Sequence, residues 1–178
     1  MIPLPESPRL IYIPLKESHL DDILRINSDP EVIQYIKKGT RLSKAQELQA
    51  LLNRLAYMNN NPGFGFWAVR AIGKSEIIGF VNLNHILEPG PEQGRAHLGY
   101  KIIRTHWGKG YGTEMCLALI EQAFQRAHLG LVNAYTDPEN SASMRILEKC
   151  GFQQMDGITF VYDCPSIRFT LKKKSDHR

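Results

Sequence analysis

The sequence predicts one mixed α/β domain, a twisted central sheet flanked by helices, in the order β-α-α-β-β-β-α-β-α-β-β. Three observations carry that expectation. Apolar residues recur with helical spacing in some segments and alternate with strand spacing in others. The two kinds of segment are interleaved along the chain. The 178 residues, 43% of them hydrophobic, suffice for one core, and no internal repeat or low-complexity linker divides 1–178.

Each element has its own signal. Arg9-Leu10-Ile11-Tyr12-Ile13-Pro14-Leu15 alternates and is rich in β-branched residues, a first strand. Ser18, with Asp21 three residues on, is expected to cap a helix carrying Leu20, Ile23, Leu24 and Ile26. Asp29-Pro30-Glu31 is a second start signal, because proline suits a first helical turn. Ser43 and Gln46 form a capping box for a helix with Leu48, Leu51, Leu52 and Leu55 on one face. Beyond the polar turn Asn59-Asn60-Asn61-Pro62-Gly63, residues 64–70 and 76–83 read as an antiparallel hairpin turning at Gly73-Lys74. The stretch His85 to Gly94, with Pro89, Gly90 and Pro91, reads as a loop. Residues 95–103 form the next strand, in which Gly99 marks a bulge or a close backbone approach.

A glycine-rich turn then opens a helix with Met115, Leu119, Ile120, Ala123, Phe124 and Ala127 at helical spacing, as far as His128-Leu129-Gly130. Leu131 to Thr136 is another strand. Asp137-Pro138-Glu139-Asn140 turns into a short helix through about Lys149, with Gly151 placed to end it. Residues 152–155 and 159–162 begin two terminal strands, which Ile167 to Leu171 continues or completes.

Composition excludes several classes. No apolar run approaches the roughly 18–20 residues that cross a bilayer, and the N-terminus does not read as a secretory signal, so no membrane partner is expected. Cys116, Cys150 and Cys164 are odd in number and outside any C-x-x-C pair. That argues against a zinc site or a disulfide framework and favours the cytoplasm. The net charge of +4 is modest, and part of it lies in the basic stretch 172–178, expected to fray as a solvated tail. A nucleic-acid-binding arm is the weaker reading of that stretch, so no nucleic-acid partner is expected.

The chemistry concentrates in Trp107-Gly108-Lys109-Gly110-Tyr111-Gly112-Thr113-Glu114. Three glycines end a strand and open a helix, so backbone N–H groups can approach an anion closely. The first helical amides lack internal partners and carry the positive end of the helix dipole. Phosphate oxygens would be held there by backbone, with Lys109 adding charge at the rim. Spacing excludes two other phosphate motifs. A P-loop needs glycine where Ile103 stands, and a dinucleotide fingerprint needs glycine where Thr113 stands. Taken alone, the turn is equally a tight glycine-rich connection.

The segment resembles the acyl-CoA signature of the GNAT superfamily, Gln/Arg-x-x-Gly-x-Gly/Ala. Gly110 and Gly112 match its two small positions, while Trp107 replaces the leading residue. That variant, with Leu98-Gly99-Tyr100 before it and Asn140-Ser141-Ala142-Ser143 to Lys149-Cys150-Gly151-Phe152 after it, is similar to the ribosomal-protein-alanine N-acetyltransferase branch. The resemblance implies a GNAT-like acyl-CoA N-acyltransferase fold with two splayed parallel strands, one ending near Ile103 and one from Leu131 to Thr136. It implies acetyl-CoA between them as co-substrate, with no metal. The pantetheine would pair with the backbone of Ile102 and Ile103, and the pyrophosphate would lie over Trp107, Gly108, Lys109, Gly110, Tyr111, Gly112 and Thr113. Asn140 would bond the pantetheine from the other wall.

An amine, either a protein N-terminus or a small molecule, would attack the thioester directly, proximity supplying most of the rate. The position where many relatives place a glutamate carries His97, a candidate base. Leu147 stands where many relatives place a tyrosine, so Ser143, one turn earlier, is the candidate partner of the departing sulfur. Cys116 reads as a packed thiol. The segment 35–41, the loop 85–94 with Glu88 and Glu92, and the terminal strands near 157–165 would wall the acceptor. A homodimer is compatible with the resemblance alone. The alternative function is a non-catalytic acyl-CoA-binding sensor, which would keep the turn and Asn140 and show no turnover.

Overall fold

The computed structural model describes residues 5–36, 39–86 and 94–174. Strands β1 (Leu10–Pro14), β2 (Gly65–Ala71), β3 (Ile77–Asn84), β4 (Arg95–Ile102), β5 (Leu131–Thr136), β6 (Gln153–Gln154) and β8 (Cys164–Lys172) lie in the order β1-β2-β3-β4-β5-β8-β6, and β7 (Thr159–Val161) pairs with β8. Every pairing is antiparallel except β4 with β5. Helices α1 (Leu20–Asn27), α2 (Pro30–Ile33) and α3 (Lys44–Asn60) supply the side chains that pack one face, while α4 (Tyr111–Glu121) and α5 (Ser141–Lys149) cover the other. Among the described residues no helix is long and apolar enough to cross a membrane.

The main core lies between the sheet and α4–α5. Met115, Leu119, Val132, Leu147 and Phe169 are essentially solvent-free there. Even-numbered β4 residues Ala96, Leu98, Tyr100 and Ile102 point into it, as the period of two requires. Two smaller clusters under α1 and α3 fill the opposite face. Glycine is required where strands crowd. A Cβ on Gly79 would lie 2.2 Å from the Lys101 carbonyl oxygen, and one on Gly99 would lie 2.6 Å from Asn82 Oδ1. At Gly99, where a bulge or a close backbone approach was expected, the pairing with β3 is regular and the close neighbour is the Asn82 side chain.

The mixed α/β class holds, but the element order is longer than expected. Asp29 caps the one-turn α2, its carboxylate accepting from the Glu31 N–H at 3.0 Å. The C-terminal region holds three strands, because the chain from β7 turns back through Tyr162 and Asp163, both at positive φ, into β8. Ser18 does not cap α1. His19 Nδ1 accepts the Lys16 N–H at 3.0 Å, closing a 3-10 turn at Glu17–His19 ahead of the helix. The Ser43–Gln46 capping box forms. The buried stripe of α3, however, runs through Glu47 and Leu51, while Leu48 and Leu52 are exposed. Asn27 donates to the Oε1 of the buried Glu47 at 2.6 Å, while its Oε2 is buried without a hydrogen-bond partner.

Two further expectations meet the boundary of the description. Pro89, Gly90, Pro91, Glu88 and Glu92 lie outside the described residues. In the basic stretch 172–178, Lys172 ends β8, and Lys173 is tied down through its N–H to the Gly130 carbonyl and its Nζ to the Phe124 carbonyl.

Candidate active site

β4 and β5 pair in parallel at Arg95–Leu131, Ala96–Val132 and His97–Asn133, and there the ladder stops. Each strand keeps its outer neighbour, β4 with β3 as far as Ile102 opposite Gly79 and β5 with β8 as far as Thr136 opposite Ile167. The sheet therefore opens into a wedge without losing its outer ladders. The Ile103 N–H donates to the Ile78 carbonyl at 2.8 Å, which sets the alternation along β4. Odd-numbered residues direct their backbone groups to β3, and Tyr100 and Ile102 direct theirs into the wedge. A cleft of about 780 Å³ occupies it, lined by Tyr100, Ile102, Tyr135, Asn140 and Ser143 among others.

The glycine turn closes one end. Gly108 and Gly110 sit at φ +72° and +78°, in the left-handed region that side chains avoid, and Gly110 is the N-cap of α4. The Glu114 N–H is the first to find a helical acceptor, the Gly110 carbonyl at 3.1 Å, so the amides of Tyr111, Gly112 and Thr113 precede the helical ladder. Gly112 packs closely against α5: a Cβ there would lie 2.7 Å from Ile146 Cδ1, so that side-chain end would have to shift. Trp107 turns its indole back onto the strand, Nε1 donating to the Ile102 carbonyl at 2.8 Å.

Arg9, from the segment entering β1, clamps this turn from outside. Its N–H and Nε donate to the two Glu114 oxygens at 2.7 and 2.6 Å, and its Nη1 donates to the Lys109 carbonyl at 3.1 Å. Its guanidinium also stacks 4.6 Å from the Tyr111 ring centroid. Partial burial would push the Glu114 carboxyl up. The hydrogen bonds from Arg9 and Ser7, with the charge of Arg9, outweigh it and hold that group below its usual value.

At the other wall Asn140 caps α5, Oδ1 accepting the Ser143 N–H at 3.1 Å. Ser143 lines the cleft, with Oγ 3.2 Å from the Tyr100 phenol oxygen. His97 lies where β4 and β5 are still paired, 8% exposed and outside the cleft lining, its ring 6.1 Å from that of Tyr135. Burial, then the nearby His85, lowers its pKa to about 4, and its Nδ1 has no hydrogen-bond partner. Cys116 is a packed thiol, pushed up first by its contact with the Cys150 sulfur and then by burial, and so stays protonated.

Of the residues singled out by sequence, Ile102, Trp107, Gly108, Gly110, Tyr111, Gly112, Thr113, Asn140 and Ser143 line the cleft together. Ile103, its N–H bonded to Ile78 in β3, and the exposed Lys109 are not among the lining residues. Tyr100 and Arg9 were missed. Tyr100 carried a signal, since an even-numbered β4 residue must project toward α5.

Residues 9–153 match the family described as Acetyltransferase (GNAT) domain. An uncharacterized N-acetyltransferase of Bacillus licheniformis is 32% identical over 145 residues, covering 79% of this chain and 78% of its own length. The chain belongs to the GNAT acetyltransferase family. The FsC-acetyl coenzyme A-N(2)-transacetylase of Aspergillus fumigatus is 26% identical, over 92% of this chain and 70% of that protein. An acetyltransferase from Agrobacterium tumefaciens shares the fold with a TM-score of 0.79 at 22% identity, covering 97% of this chain and 96% of that one. The ribosomal L7/L12 alpha-N-protein acetyltransferase RimL, solved with coenzyme A, shares it at 0.78 and 15% identity, over 96% and 97%. This GNAT enzyme is an acetyl-CoA-dependent N-acetyltransferase, and the wedge, the glycine turn and the unpaired first-turn amides of α4 fit that co-substrate.

Proposed function

We propose that the enzyme transfers acetyl from acetyl-CoA directly to a primary amine, with both substrates bound at once, and that the preferred amine is an α-amino group. The observation that carries this reading is the wedge between β4 and β5, with the glycine turn at one end and Tyr135 and Ser143 among its lining residues. Backbone groups of Tyr100 and Ile102 would pair with the pantetheine, Trp107 to Thr113 would hold the pyrophosphate, and the Asn140 amide would reach the arm from the far wall. Ser143 would donate its hydroxyl hydrogen to the departing sulfur. Cytoplasmic work on a protein N-terminus or a small amine is consistent with this assignment.

The preference for an α-amine follows from proton affinity. His97, with a pKa of about 4, cannot strip an ammonium at neutral pH. In this reading it accepts a proton, through water or past Tyr135, only once C–N bond formation has made the nitrogen acidic. The amine must then arrive neutral. An α-amine of pKa about 8 is roughly 10% neutral at pH 7, against about 0.04% for an alkylamine of pKa about 10.4. Thiol release from acetyl-CoA, measured against N-terminal peptides, the same peptides blocked at the N-terminus, and alkylamines, tests this. The α-amine peptides should win by about two orders of magnitude in kcat/KM at neutral pH. Equal rates with blocked peptides would refute the α-amine preference. Tight CoA binding without release by any acceptor would favour a sensor.

A further inference from the structure

We propose that Tyr100 is a positioning residue that aims the Ser143 hydroxyl at the leaving sulfur. The inference rests on the role given to Ser143 above. A serine hydroxyl has one hydrogen and rotates freely, so its usefulness as a donor depends on what holds it. The Ser143 backbone is held by the 3.1 Å bond from its N–H to Asn140 Oδ1, which leaves the side-chain rotamer and the hydroxyl rotor to be set by other contacts. Tyr100 Oη stands 3.2 Å from Ser143 Oγ and 3.4 Å from the Ser143 carbonyl oxygen, and both residues line the cleft. The phenol hydrogen has two acceptors within reach, the Ser143 carbonyl oxygen and Oγ, and the serine hydrogen can in turn point to the phenol or to the cleft. If Ser143 donates to the phenol, its hydrogen is consumed. If the phenol donates to Oγ, the serine hydrogen is freed toward the cleft, and the chained bond polarises it.

During transfer the phenol donates to Oγ, the nearer of its two acceptors on Ser143. The phenol is half-enclosed by the core under α5 and has its ring fixed there. Burial, only partly opposed by the Ser143 bond, pushes its pKa well above the usual phenol value. Tyr100 therefore keeps its proton and acts as a hydrogen-bond donor, not as an acid. The balance of the step is simple. The C–N bond forms as the C–S bond breaks, the electron pair goes to sulfur, and the amine proton leaves to solvent or His97. Ser143 stabilises the thiolate, and Tyr100 neither gains nor loses a proton.

The test reads the acidity of the thiol in the bound CoA complex, from thiolate ultraviolet absorbance across pH, together with steady-state kinetics. Ser143→Ala should raise the bound thiol's pKa, Tyr100→Phe should raise it at least half as far, and the double variant should match Ser143→Ala. Tyr100→Phe should lower kcat about tenfold, the loss of one hydrogen bond of about 1.4 kcal/mol, with little change in KM for acetyl-CoA. A fluorotyrosine in place of Tyr100, a stronger donor with the ring retained, should move the thiol pKa the opposite way. If Ser143→Ala shifts the thiol and Tyr100→Phe does not, the Tyr100 inference is overturned and the Ser143 reading stands. If Ser143→Ala itself shifts nothing, the Ser143 reading falls and takes this inference with it. Full additivity in the double variant would show that Tyr100 acts independently of Ser143 and would also overturn it.

Discussion

Replacing His97 by leucine should flatten the acid side of the stability profile, and the size of the effect follows from its burial. In the folded chain the imidazole pKa is lowered from 6.5 to about 4. Between those values the unfolded chain binds a proton that the folded chain refuses, so the unfolded state gains as pH falls. The stabilising contribution is complete above pH 6.5 and is lost on the way down to pH 4, about 3 kcal/mol in all. Below that both states are protonated and the loss levels off. Urea unfolding at a series of pH values measures it, and the wild-type curve should fall about 2–3 kcal/mol more steeply than that of His97→Leu across the window. His19, also lowered by burial, titrates in both proteins and cancels in the comparison. The same reasoning bears on catalysis. A His97 titrating near pH 4 gives the rate no rising limb near 6.5, so any limb at neutral pH belongs to the acceptor amine and shifts with the amine used. Parallel stability curves, or a limb at 6.5 that disappears in His97→Leu, would refute the burial argument.

Three other perturbations test the framework of the cleft. Gly79→Ala puts a methyl against the Lys101 carbonyl, a backbone atom that cannot step aside, and should destabilise by about 3 kcal/mol in urea unfolding. Trp107→Phe removes the indole bond to Ile102. It should raise KM for acetyl-CoA several-fold, about 1 kcal/mol, with kcat nearly unchanged. Arg9→Met keeps the backbone N–H bond to Glu114 but removes the guanidinium, whose hydrogen bond and charge help hold that carboxyl low. The wild type should then be the more stable protein above the ordinary carboxylate pKa, with the gap in urea midpoint closing as pH falls through it.

How much of this was legible in the sequence depended on range. Gly108, Gly110, Asn140 and the Ser43–Gln46 box act within a turn of their own position, so local spacing exposes them. The Arg9–Glu114 clamp joins residues 105 apart, and only the assembled sheet brings them together. The choice between Ile102 and Ile103 is a matter of register: one residue separates a group facing the cleft from one facing β3, and while the apolar alternation of Ala96, Leu98 and Ile102 marks which side chains share a face, only the pairing with β3 shows which backbone groups are left over. His97 shows the same limit from another side. Its type suggested a base, whereas its burial, which decides its pKa, depends on β5 and the residues around it. Leu48 and Leu52 were expected inside because they are apolar; the α1–α3 contact instead buried Glu47, with Asn27 bonded to one carboxylate oxygen and the other left without a partner.

The wedge itself makes a prediction that separates register from mere openness. Along β4 the amides of Lys101 and Ile103 face β3, and the latter is bonded to Ile78 at 2.8 Å, while those of Tyr100 and Ile102 face the cleft beyond the last β5 pairing at His97. Amide exchange resolved by residue should therefore alternate, Tyr100 and Ile102 fast, Lys101 and Ile103 slow, although all four sit in one strand. Fraying of the strand end would instead speed all four together. Adding CoA should slow Tyr100 and Ile102 selectively, because the pantetheine offers the acceptors that β5 withdraws. Protection of Lys101 and Ile103 in their place would mean that β4 is paired one residue out of the register described, and both the backbone assignment and the aim of Tyr100 toward Ser143 would fall, since a one-residue slip turns that phenol to the opposite face of the sheet.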